Sequence, residues 1–125
     1  MGSDGQERKK QFKLRIYRYV LRLIKFLTRL PNDPVIREIK CQVTRSGTSV
    51  GANYFEAEAA SSKKDYQNFF SHALKSANET KFWLALFRDS GSIPQALKNE
   101  MDFLMQETKE VANILASSII TMKGK

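Results

Sequence analysis

LRIYRYVLRLIKFLTRL, residues 14–30, is the stretch that decides the fold. Ile16, Val20, Leu23, Leu27 and Leu30 step by four, three, four and three residues, the interval that returns to one face of an α-helix. Leu14, Tyr17, Leu21 and Ile24 form a second apolar line, and Phe12, Tyr19 and Phe26 a third. Arg15, Arg18, Arg22, Lys25 and Arg29 repeat at the same interval and fall on one narrow basic strip. The spacing predicts a first helix over about Glu7 to Leu30, apolar around roughly two-thirds of its girth. A helix in an isolated bundle needs an apolar face of only about 100° or slightly more. One apolar strip is therefore expected to pack inside the chain and another against a second copy of it. The competing reading is a helix held deeply between three neighbours.

Outward from this segment the same periodicity continues. Leu30-Pro-Asn-Asp-Pro34 breaks the first helix, with Asp33 as N-cap and Pro34 as first residue of the next. The second helix is predicted to reach about Ala60, with Ile36, Ile39, Val43, Gly47, Val50 and Tyr54 along its inner line. Gly47 and Gly51 each cost about 1 kcal/mol of helix propensity relative to alanine. That cost is understandable where a neighbouring helix comes close. Ser62-Lys-Lys-Asp65 resembles a capping box and opens a third helix, whose line Tyr66, Phe70, Ala73, Ala77, Thr80, Leu84, Phe87 ends near Gly91. A fourth follows Pro94, with Leu97, Met101, Leu104, Thr108, Val111, Leu115 and Met122 on its inner face. Short connections between long helices make neighbours antiparallel. The expected fold is thus all-α, an up-down-up-down four-helix bundle, with one domain over 7–125 and residues 1–6 as a disordered start or a tag remnant.

Composition bounds the function. The single cysteine, Cys41, allows no intrachain disulfide and points to a reducing cytoplasmic setting. The longest charge-free apolar stretch, Val111 to Met122, has 12 residues, short of the roughly 20 that span a bilayer. The net charge is +8, of which +7 falls in residues 1–30 (nine Lys/Arg against two Asp/Glu). A basic stripe on the first helix attracts phosphate backbones or acidic proteins. The plainer alternative is a solvated face that keeps the chain soluble.

Catalytic signatures are missing. There is one histidine, His72, no glycine-rich phosphate loop and no zinc spacing, and the carboxylates lack the Glu-x-x-His pattern of a di-metal bundle. A Cys41–His72 pair reads as structural. No enzymatic activity, metal or cofactor is expected. One polar constellation stands out: Arg45, Ser49, Asn53 and Glu56 line the second helix beside its apolar line, and Ser76, Glu79 and Trp83 do so on the third. Arg45 or Asn53 is expected to satisfy Glu79 across the bundle, as polar pins that fix register. The alternative reading is a ligand or partner pocket.

The run QVTRSGTSVGANYFEA, residues 42–57, resembles the signature of the four-helix-bundle family of 23S rRNA intervening-sequence proteins: an arginine-serine pair, a small-residue helix turn, then asparagine and glutamate. Ser62-Lys-Lys-Asp65-Tyr66, Phe69 or Phe70, Ala73, Ser76, Glu79 and Trp83-Leu84 agree with it, and the resemblance covers about residues 12–122. Where the family often has a glycine after the glutamate, this chain has Ala57, so the end of the second helix is expected to differ. The resemblance implies a homopentamer of antiparallel bundles and an association with nucleic acid. A related group resembles the accessory subunit of diversity-generating retroelements, a basic pentameric bundle that partners a reverse transcriptase. The expected function is a non-enzymatic homo-oligomer, pentameric by that resemblance, that binds RNA or DNA through Arg15, Arg18, Arg22, Lys25 and Arg29. The alternative is a protein-interaction adaptor such as a reverse-transcriptase subunit.

Overall fold

Four helices carry the chain: α1 (Gly2–Thr28), α2 (Pro34–Ala57), α3 (Lys63–Ser90) and α4 (Lys98–Lys123). A 3-10 turn, Gln95–Leu97, precedes α4. The computed structural model describes residues 2–124, and among these no strand occurs. Sequential helices pack against one another, and α1 closes the bundle against α4. Residues 2–6, expected as a disordered start or a tag remnant, lie at the beginning of α1. Asp4 lies in the first turn, where the helix dipole favours a carboxylate, and Gln11 donates to Glu7 at 2.9 Å. Met1 lies outside the described residues.

The turns follow local chemistry. The Asp33 side chain accepts from the Ile36 amide at 3.1 Å, with Pro34 at the first helical position. The Lys40 ammonium donates to the Leu30 carbonyl at 2.9 Å and ties the turn down. Ser62 caps α3 by accepting from the Asp65 amide at 3.1 Å, and Gly91 ends it at φ 77°, a left-handed conformation that favours glycine. α2 stops at Ala57, short of the expected Ala60. The amides of Glu58, Ala59 and Ala60 bond three residues back rather than four, so the helix tightens into a turn where no glycine or proline breaks it.

The core has two apolar clusters with hydroxyls between them. One gathers Tyr19, Leu23, Phe26, Leu84, Phe87 and Met101, among others, and the second includes Ile16, Val50, Phe70, Ala77, Val111 and Leu115. On α2, α3 and α4 the residue separating the clusters is Ser46, Thr80 or Thr108, each buried. They pair rather than stand alone. Ser46 Oγ and Thr80 Oγ1 lie 2.8 Å apart, and Tyr19 Oη lies 2.6 Å from Thr108 Oγ1. No buried side-chain polar atom among the described residues lacks a partner, so this layer avoids the penalty of desolvated, unsatisfied groups.

Gly47 and Gly51 are where α1 meets α2. A Cβ at Gly47 would overlap Leu23 Cδ2, and one at Gly51 would stand 3.2 Å from Val20 Cγ2. Leu23 is 1% exposed and has little room to move aside. Gly47→Val should therefore lower stability by roughly 1–3 kcal/mol through overpacking. In urea denaturation its loss should be non-additive with that of Leu23→Ala, with a coupling of roughly 0.5–3 kcal/mol. Additive losses would mean that the Leu23 contact is not what requires glycine.

Candidate functional site

α1 shows three different surfaces outside the core. Toward α4 lie Arg15 and Arg22. Arg15 grips Glu107 with both ends of its guanidinium fork, Nε to Oε2 at 2.8 Å and Nη2 to Oε1 at 2.7 Å, and also reaches Glu110 at 2.8 Å. Arg22 grips Glu100 in the same way at 2.6 and 2.8 Å, with its guanidinium carbon 3.6 Å from the Phe103 ring centroid. These hydrogen bonds hold Glu100 and Glu110 below the usual carboxylate range and Arg15 and Arg22 above the usual guanidinium one. The planar two-point fit needs arginine rather than lysine.

The remaining cations of the expected strip stay in solvent, with Arg18 on the rim of a groove beside α4. Arg18, Lys25 and Arg29 are exposed and in no ion pair among the described residues. The five residues therefore divide into two jobs. Two brace α1 against α4, and three are unpaired cations at intervals of seven and four. The third surface is apolar: Leu14 (41% exposed), Tyr17 (57%), Leu21 (40%) and Ile24 (38%). It adjoins α2 where Lys13 pairs with Glu58 at 2.6 Å and lies 4.8 Å above the Phe55 ring. Of the apolar lines read from the sequence, this is the one that the bundle leaves partly exposed.

The polar constellation separates as well. Ser49 Oγ accepts from Asn53 Nδ2 and from Ser76 Oγ, each at 2.9 Å, and Asn53 also bonds the Ser49 carbonyl. These groups zip α2 to α3 alongside the Ser46–Thr80 pair. Glu79 takes Trp83 Nε1 at 3.1 Å on its own helix, so the expected bond across the bundle from Arg45 or Asn53 does not form. Arg45 and Glu56 are exposed and in no ion pair among the described residues. Cys41 and His72 are both exposed. With Ser49 opposite Ser76, the antiparallel register sets His72 near the level of Asn53, about 18 Å along α2 from Cys41. No group of three metal-ligating side chains occurs among the described residues.

A feature absent from the sequence reading is an open seam between α1 and α4. Two grooves of about 650 and 590 Å³ run along it and share Arg8, Phe12 and Ile114. The signal that could have found it is a register. Arg8, Arg15 and Arg22 step by seven along α1, and Glu100 and Glu107 step by seven along α4.

Comparison with known proteins bears on this arrangement. The family model described as 23S rRNA-intervening sequence protein matches residues 8–117. A crystal structure of a protein from the S23 ribosomal protein family of Bacteroides thetaiotaomicron is 33% identical, with a TM-score of 0.74, covering 86% of this chain and 97% of that one. No curated protein matches the chain. No helix among the described residues is long and apolar enough to cross a membrane.

The bracing ion pairs make a pH prediction. Glu100 has a folded-state pKa lowered from 4.5 by its hydrogen bonds from Arg22. Its contribution is therefore fully present above 4.5 and is lost as pH falls through the lowered value. Glu100→Gln should reduce the thermal midpoint by roughly 1–3 °C at neutral pH, the size expected of a solvent-exposed pair. The gap from the parent chain should close in acid. A gap that is constant with pH would show that Glu100 acts through packing alone.

Proposed function

The chain belongs to the 23S rRNA-intervening sequence protein family, and from that premise we propose that it is a non-enzymatic homo-oligomer that binds RNA or DNA through the unpaired cations of α1. The observation that carries this reading is the adjacency of two surfaces on one helix. Leu14, Tyr17, Leu21 and Ile24 form an uncovered apolar strip, and Arg18, Lys25 and Arg29 run beside it without internal partners. A second copy laid on the apolar strip removes that surface from water, which stabilises the assembly by about 25 cal/mol for each Å² of apolar area buried. The same association places cationic rows of neighbouring copies side by side. A closed ring, pentameric as the resemblance suggests, multiplies three modest charges into a continuous positive surface.

Phosphate contacts of this kind carry no sequence code and weaken steeply with salt. Fluorescence titration of a labelled homopolymeric RNA at two salt concentrations should show tight binding at low salt only. Replacing Arg18, Lys25 and Arg29 together by glutamine should weaken binding and flatten the log–log salt dependence by about 2 for each protomer engaged, as expected for three single-strand phosphate contacts. Light scattering should give an oligomer that Leu21→Glu dissociates without loss of helix. A monomeric parent chain would remove the assembly, and absence of binding at low salt would remove the polyanion.

A further inference from the structure

The seam between α1 and α4 is built as a ladder. Each step of seven along α1 is answered by a step of seven back along α4: Arg22 meets Glu100, Arg15 meets Glu107, and the next rung sets Arg8 against residue 114. At the first two rungs the arginine finds a carboxylate. At the third the sequence supplies Ile114. Arg8 and its neighbour Lys9 are exposed and in no ion pair among the described residues.

The first of the two grooves lies at that rung. The 650 Å³ groove is lined by Arg8 and Lys9 at its rim and by Phe12, Tyr54, Tyr66 and Phe70 below. The four rings form one connected aromatic cluster: Phe12 meets Tyr54 edge-on at 5.2 Å, Tyr54 lies 5.4 Å from Phe70, and Phe70 lies 4.9 Å from Tyr66. The opposite wall on α4 has Asn113, Ile114, Ser117, Ser118, Thr121 and Met122, and the short side chains at 117, 118 and 121 leave the groove open. Neither tyrosine hydroxyl has a hydrogen-bond partner among the described residues. Burial pushes the Tyr54 phenol up to about 12 and the Tyr66 phenol in the same direction, so both keep their protons at neutral pH and can donate.

We propose that this groove is a binding site for a small aromatic organic anion, whose carboxylate or phosphate occupies the vacant third rung against Arg8 and Lys9 while its ring lies on Phe12, Tyr54, Tyr66 and Phe70. The volume falls in the range of small-ligand pockets, with an apolar floor and a few convergent polar groups. Charge complementarity selects the head group, because the groove repeats the guanidinium of the two filled rungs without their carboxylate. The ring cluster selects the body, since offset and edge-on contacts favour a flat aromatic guest. The site lies on the α4 side of α1, away from the apolar strip, and Arg18, Lys25 and Arg29 do not line it, so it stands independently of nucleic-acid binding.

The test uses the full chain and 2-naphthoate, with 2-naphthamide as the uncharged analogue. Calorimetry should show saturable binding of one naphthoate per protomer, with the amide weaker by about tenfold or more. Methyl resonances of Ile114 and Met122 should shift on titration. Arg8→Gln with Lys9→Gln should weaken naphthoate by a similar factor and leave the amide unchanged. Ile114→Glu supplies the missing carboxylate. It should raise the thermal midpoint and abolish naphthoate binding while keeping the helical signal and the oligomeric mass of the parent chain. The proposal is overturned if naphthoate does not saturate, if acid and amide bind equally, or if the shifts map to the Leu14–Ile24 strip. It is equally overturned if Ile114→Glu binds as the parent does. Dissociation of an oligomer by Ile114→Glu would also overturn it, by making the groove a contact between copies.

Discussion

The placement of α1 depends on how closely it approaches α2. Gly47 and Gly51 remove two side chains from the facing surface, and Leu23 and Val20 fill the space. α1 is drawn in on that side and sits looser against α4. Two consequences follow from this one asymmetry. The seam with α4 is too wide to close by apolar packing alone and is bridged by long arginines reaching glutamates, by the Tyr19–Thr108 hydroxyl pair, and otherwise by open groove. The far side of α1 is turned outward, which leaves Leu14, Tyr17, Leu21 and Ile24 only partly covered by the chain.

The segment that carries the family signature does several separable jobs within one helix. Ser46 pairs with Thr80 inside the core, Gly47 admits α1, and Ser49 with Asn53 binds α2 to Ser76 on α3. Each is a contact that a hydrophobic residue of similar size would lose or obstruct. The hydroxyl layer also sets register. Sliding α3 one turn along α2 would part Ser46 from Thr80 and leave each hydroxyl only a carbonyl of its own helix, that of Val43 or of Ser76. Arg45 and Glu56 belong to the same motif and take no part in this packing.

Much of the fold was legible because it is periodic. The line Phe70, Ala73, Ala77, Thr80, Leu84, Phe87 is the buried set of α3, and the caps at Asp33, Ser62 and Gly91 act as their residue types dictate. Thr80 and Thr108 stood on those lines as polar residues, and the structure pairs each with a hydroxyl on another helix. The site was less legible because its contacts join residues 78 to 95 positions apart. Winding the five cations onto one helix shows a single strip. Only the position of α4 divides it into Arg15 and Arg22, which find glutamates, and Arg18, Lys25 and Arg29, which do not. The Glu79 assignment failed for a related reason. Trp83, one turn away, offers a local N–H and wins over a long side chain that must be ordered across the helix interface.

The ion pairs of the seam are partly solvated, and exposed pairs contribute little to stability individually. Burial of Ile16, Leu23 and Phe26, each nearly inaccessible to solvent, therefore dominates the attachment of α1. Arg15 and Arg22 act chiefly on orientation, because a two-point guanidinium–carboxylate fit fixes both distance and angle. They reinforce a rotation of α1 about its axis that the buried face already sets, with the exposed apolar strip and the groove on separate sides of one helix.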